Sequence, residues 1–267
     1  MILNLNKCYK IFKYKLKDNF MNRHLSMRSG NPALNKNTFL GLSGNATQCM
    51  TIDGTVNKTF ISLILLFLSA IFSWNHFSSS IIIVGFICGL ITAIITIYKK
   101  HLSMYTVPLY AIFEGLALGA ISNIFEQSYP GIVSQAVFLT FGIMGALLFA
   151  YKTKIIKVTE NFKLGIFAAT GGIAIVYLIN FIMSFWGSGI SVMNINNTSL
   201  FSIGFSLFVV AIASLNLVLD FDFIEEASEK NVPKYMEWYA TFGLLITLIW
   251  LYLEILRLLA KLQSRRN

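Results

Sequence analysis

Charge is scarce in this sequence. Lys and Arg number 21 and Asp and Glu 12, so charged residues make up 12% of the 267, about half the share of a typical soluble domain. So few charges cannot cover a water-facing surface when 23 Phe and 11 Tyr must also be hidden. Cysteine is rare as well: Cys8, Cys49 and Cys88 form no spaced framework, and Cys88 lies inside an apolar run. A disulfide scaffold or a cysteine metal site therefore has no basis. His24, His76 and His101 are scattered, which leaves no zinc site of the usual spacing. No nucleophile elbow, HExxH helix motif or Gly-rich phosphate loop occurs. These absences argue against an enzyme, a resident metal and a cofactor.

What is present is apolar sequence in long runs. Hydrophobic residues make up 56% and mean hydropathy is +0.68. A bilayer core takes about 20 apolar residues per helix, and seven such runs can be drawn, over 59–77, 80–98, 105–125, 131–151, 164–186, 199–222 and 235–258. The spacers between them carry turn or charge residues, and Pro32, Pro108, Pro130 and Pro233 fall outside the runs or in a first turn. The fold class expected is an all-α integral membrane protein, a bundle of seven transmembrane helices over 58–258. Residues 1–57 form a basic, largely disordered segment, with 1–26 a candidate start-site extension, and 259–267 form a basic tail. Residues 7–17 interleave lysines with apolar side chains but lack the continuous apolar core of a secretory signal.

The net charge of +9 reads as topology, not as nucleic-acid binding. Loops two, four and six carry Lys99, Lys100, Lys152, Lys154, Lys157, Lys163, Lys230 and Lys234, whereas loops one, three and five carry no Lys or Arg. The positive-inside rule then puts the even loops and the amino end in the cytoplasm. Seven spans carry Arg257, Lys261, Arg265 and Arg266 to the other side, against that rule.

Carboxylates within a span cost about 2.5–3.5 kcal/mol on insertion scales and are functional candidates by default. Glu114 lies in the middle of span three, Asp220 and Asp222 at the cytoplasmic end of span six, Glu237 at the start of span seven and Glu254 near its other end. Glu254 stands three residues before Arg257, the spacing of a structural ion pair. Ser206, Ala213, Asn216 and Asp220 share one stripe of span six, while Asp220 and Asp222 project about 200° apart. Small residues at Gly115, Gly119 and Ser122 on span three, and at Gly165, Ala169 and Gly172 on span five, read as packing seams. In such a bundle the acids turn inward, and those at the ends of spans six and seven gather near one cytoplasmic mouth. Carboxylates in a watery cavity attract cations and exclude anions, hard oxygen ligands suit calcium, and burial makes a carboxyl group responsive to protons near neutral pH.

Three segments carry a family resemblance: YAIFEGLALGAIS (110–122), LVLDFDFIEEA (217–227) and MEWYATFGLLITLIWLYLEILRLL (236–259). In that order within seven spans they resemble the Bax inhibitor-1 family, the transmembrane Bax inhibitor motif superfamily. MRSGNPALNKNTF (27–39) resembles the usual beginning of its bacterial, YccA-like branch. The resemblance covers 27–262 and implies seven helices with the last surrounded by the other six. It also implies a pH-sensitive calcium leak, with regulation of cell death in eukaryotic members. Bacterial members use two hydrogen-bonded aspartates, one on each of the last two helices, as pH sensor. The first carries over onto Asp220; Thr247 stands where the second belongs, leaving Glu237, Glu254 or Glu114 as replacements. The family's basic residue before span three corresponds to Lys99 or Lys100.

The function expected is a pH-sensitive cation leak, calcium first, in a bacterial inner membrane. Asp220 is its sensor and gate, and Glu114, Asp222, Glu237 and Asn216 are its polar cluster. The partners are the lipid bilayer and transient calcium or other cations. The alternative is a non-conducting regulator that binds other membrane proteins, such as a membrane-bound protease.

Overall fold

The computed structural model describes residues 49–187 and 189–266; the basic segment before Cys49, with its start-site and leader readings, lies outside them. The described chain forms seven long helices, all apolar enough to cross a bilayer. They are α1 (Ile52–Asn75), α2 (Ser79–Tyr98), α3 (Ser103–Ser128), α4 (Ile132–Lys152), α5 (Glu160–Ser184), α6 (Leu200–Glu229) and α7 (Met236–Arg266). One-turn 3-10 segments precede α3, at Lys100–Leu102, and lie within the α5–α6 connection, at Ser191–Met193.

Capping residues, more than hydropathy, place the ends. The Thr51, Thr159 and Ser199 hydroxyls accept from the backbone N–H groups of Gly54, Phe162 and Ser202 at 3.0, 3.2 and 3.2 Å, which satisfies donors that the first helical turn leaves open. Gly131 enters α4 at φ 81°, a left-handed conformation that costs glycine little. Helices therefore overrun the apolar stretches. α1 starts at Ile52, not 59; α6 continues to Glu229, not 222; and α7 absorbs the expected tail up to Arg266. Pro108, expected in a first turn, falls in the second turn of α3 and removes the N–H that would meet the Met104 carbonyl.

α7 is the centre. α1, α3, α4 and α6 pack directly along it, while α2 lies along α3 and α5 along α6. The expected ring of six is thus a ring of four with two outer helices. Burial is concentrated further: α3, α6 and α7 bury half or more of their apolar stretch, and α1, α2, α4 and α5 less than a quarter. The main core joins α4, α6 and α7 through Ile132, Ala136, Leu217, Leu251 and Leu256. A second apolar cluster joins α1, α3 and α7 through Leu66, Val107, Ala111, Phe242 and Leu245.

The closest helix approach is between α1 and α3. A methyl group added at Gly115 would overlap Leu66 and Ser69, and one at Gly119 the Ala70 carbonyl. Ser122, on the same stripe, turns toward α7 and bonds Tyr252 at 2.6 Å. The small stripe expected to pack on α5 behaves differently. Gly165 and Gly172 meet nothing, and Ala169 alone touches a core cluster, that of Val209 and Ile212 on α6. Being peripheral, α5 has no second backbone to receive its glycines.

Gly119→Leu is expected to separate α1 from α3 and cost about 1–3 kcal/mol through overpacking, read as a lower midpoint of thermal unfolding in detergent. Gly142→Ala, where an added methyl meets nothing, should leave that midpoint unchanged.

Candidate functional site

The buried polar residues of the last two helices face each other in register. On α6, Ser206, Ala213 and Asp220 are spaced by seven, and on α7 so are Thr247, Glu254 and Lys261. All six are buried, Asp220 and Lys261 completely. The helices run antiparallel, and Lys261 Nζ donates to Ser206 Oγ at 2.9 Å. From that contact, one heptad along each helix brings Ala213 level with Glu254, and a second, about 21 Å away by helical rise, brings Asp220 level with Thr247. Seven residues nearly complete two helical turns, so one face persists through the file.

Each level has its own chemistry. At the Lys261 end the ammonium also donates to the carbonyls of Val192 at 2.7 Å and Ser202 at 3.4 Å. At the middle level Arg257 Nη1 donates to both Glu254 oxygens at 3.0 Å, and the Tyr177 hydroxyl of α5 donates to Oε1 at 2.6 Å. The Arg257 guanidinium also stands 5.4 Å from the Tyr177 ring centre. The Glu254–Arg257 pair thus exists, with a tyrosine as its third member. At the far level is Asp220. One turn earlier on α6, Asn216 donates to Thr170 Oγ1 on α5 at 2.8 Å and to the Ile212 carbonyl at 2.9 Å. Its buried Oδ1 has no hydrogen-bond partner among the described residues.

The remaining acids lie against different helices. Asp222 points away from Asp220 and pairs with Lys163 of α5 at 2.6 Å. Glu237 pairs with Lys58 of α1 and accepts from the Thr51 N–H and hydroxyl at 3.0 and 3.1 Å. A side chain at Gly54 would overlap this carboxylate. Together with the Met50 N–H on the Val232 carbonyl at 2.8 Å, these bonds tie the start of α1 to the α6–α7 turn. The acids at this end are thus separated by the helices that carry their cations. Glu114 lies elsewhere again, half-buried between α3 and α2, where a Cβ at Gly89 would come within 2.8 Å of it. Its carboxylate has no hydrogen bond or ion pair among the described residues. Of the two lysines before α3, Lys99 is exposed, whereas Lys100 lies 5.6 Å from the ring centre of buried Tyr239 on α7. No cluster of three metal-ligating side chains occurs among the described residues.

Sequence reasoning did not select Lys261, Tyr177 or Thr170. Lys261 was counted only as a tail charge, although its spacing of seven from Glu254 places both on one face. Beside the polar file, α1, α3, α4 and α7 enclose an apolar cavity of about 340 Å³, with Phe67, Leu118, Thr140 and Leu248 in its walls.

The chain matches the family model described as Bax inhibitor 1 like over residues 31–264. It belongs to the Bax inhibitor 1-like family. No curated protein and no solved structure matches it. Counting back by heptads from the Lys261–Ser206 bond, Thr247 is the α7 residue at the level of Asp220.

Arg257→Leu leaves Glu254, with a side chain 3% exposed, without its cation. The expected cost is about 3 kcal/mol or more, since one member of a buried pair is left uncompensated. Glu254→Gln together with Arg257→Leu should recover a large part, and a double-mutant cycle on thermal unfolding reads the coupling.

Proposed function

We propose that this integral membrane protein is a pH-sensitive cation leak, carrying calcium down its gradient, with Asp220 as sensor and gate. The observation that carries the reading is a fully buried aspartate inside a spanning helix of a Bax inhibitor 1-like chain. A carboxylate at that depth is costly to insert and is a functional candidate by default. When ionised it attracts a cation; when protonated it becomes a neutral donor and loses that attraction. Proton uptake at Asp220 therefore changes the field around it inside the bundle.

The other acids take structural parts in this reading. Asp222 with Lys163, and Glu237 with Lys58 and Thr51, hold the mouth together at the end where the basic loops lie. Glu114 is a second acid within the spans, set apart between α2 and α3. The eight lysines on the even loops, against none on the odd ones, support a bacterial inner-membrane orientation with the amino end and the Asp220 end cytoplasmic. No catalytic role is proposed for any residue.

Purified protein in liposomes, with calcium entry followed from about pH 6 to about pH 8, tests the reading across the range where a buried carboxyl titrates. Wild type is expected to show protein-dependent flux that changes with pH. Asp220→Asn should abolish that pH dependence, while Glu114→Gln should retain it. A folded Asp220→Asn chain with the wild-type pH profile would refute the sensor role. Absence of flux from folded wild type would favour the non-conducting regulator that binds other membrane proteins.

A further inference from the structure

We propose that the oxygens around Lys261 form a monovalent-cation site that the chain fills with its own ammonium, making Lys261 a tethered plug at the end of the polar file opposite Asp220. The inference builds on the cation-leak reading. Lys261 stands five residues before Arg266 at the end of α7, close enough to the helix end for a lysine stem to reach interfacial water. It turns inward instead and is completely buried. Its three acceptors are the Val192 carbonyl at 2.7 Å, the Ser206 hydroxyl at 2.9 Å and the Ser202 carbonyl at 3.4 Å.

Two carbonyls and a hydroxyl are neutral oxygen ligands, the kind that replaces the hydration shell of a monovalent cation in a selectivity filter. No carboxylate completes the set. Glu254, one heptad back, is held by Arg257 and Tyr177, so it does not draw the ammonium out of the cage.

The cage also has supports of its own. The Val192 carbonyl accepts from Ser202 Oγ at 2.9 Å as well. Asn197 Nδ2 donates to the Ser191 carbonyl and hydroxyl at 3.0 and 2.9 Å and so fixes the preceding residue. Removing the amine therefore leaves the oxygens in place. Further along the stripe, the buried Asn216 Oδ1 lacks a hydrogen-bond partner among the described residues, an unmet acceptor on the route to Asp220.

The test uses a reporter at Ala213, which is fully buried between cage and Asp220, as Ala213→Cys in a chain whose Cys8, Cys49 and Cys88 are replaced by Ser. In liposomes, a membrane-impermeant thiol reagent is added on the side of the α7 carboxyl end. The reporter should be protected with Lys261 present, react about tenfold faster in Lys261→Met, where the charged hydrogen bonds are lost, and stay protected in Lys261→Arg. Potassium flux through Lys261→Met should rise in step. A reporter already reactive with Lys261 present, or equally protected in folded Lys261→Met, would reduce Lys261 to a structural clamp and overturn the plug. If Lys261→Met does not fold, Ser206→Ala removes one cage oxygen and keeps the amine. A several-fold rise in reactivity then supports the plug, and no rise overturns it. The labelling does not depend on calcium flux, so failure of the leak reading and failure of the plug are separate results.

Discussion

Hydrocarbon offers a polar side chain nothing to bond to, so any such group inside a spanning helix must find its partner within the protein. In this chain that requirement is met chiefly along one line, the length of α7, where Thr241 bonds Thr59 of α1, Tyr252 bonds Ser122 of α3, Glu254 bonds Tyr177 of α5 and Lys261 bonds Ser206 of α6. On its α6 side Lys261 bonds Ser206, and heptad register from that bond sets Ala213 at the level of Glu254 and Asp220 at the level of Thr247. The Ser206–Lys261 bond joins the two helices at one end of that register. A slip of one residue would rotate Asp220 and Glu254 out of the contact and toward apolar neighbours.

The rest of the bundle follows from enclosing that line. α7 carries the larger part of the file and sits in the middle, with α1, α3, α4 and α6 around it. α5 reaches the file by side chains, Tyr177 on Glu254 and Thr170 on Asn216, and can therefore remain peripheral. At the basic end the file is closed by ion pairs with α1 and α5, and at the other end by Lys261 and the α5–α6 connection. The carboxyl-terminal charges that conflict with the positive-inside rule are partly resolved by the same geometry. Arg257 and Lys261 are engaged inside the bundle rather than offered to either aqueous face, so their count as topogenic charges is misleading.

Much of this architecture was legible in the sequence, because hydrophobic length and helical phase are local properties. Seven runs gave seven helices, and three ordered motifs gave the family that the match over residues 31–264 shows. The three-residue spacing of Glu254 and Arg257 suffices for an ion pair, since both lie on one turn of one helix. Helix ends were less legible: a helix stops at a capping hydroxyl or a turn, not where hydropathy falls, so α6 and α7 run well past their apolar segments.

What the tertiary structure alone decided is which polar groups share a level. The acids lie against different helices: Asp222 faces Lys163 on α5, Glu237 faces Lys58 on α1 and Glu114 faces Gly89 on α2. A sequence fixes the angle of a side chain about its own helix axis, but not the rotation and sliding of one helix against another. Those are set by steric contacts such as Gly115 and Gly119 against α1, and by single long-range bonds such as Lys261 to Ser206. The sequence by itself therefore determined the number of helices, their polar faces and the family. Packing between helices determined that Asp222 and Glu237 pair with cations on α5 and α1, that Glu114 stands apart, and that a lysine of the tail is buried against α6.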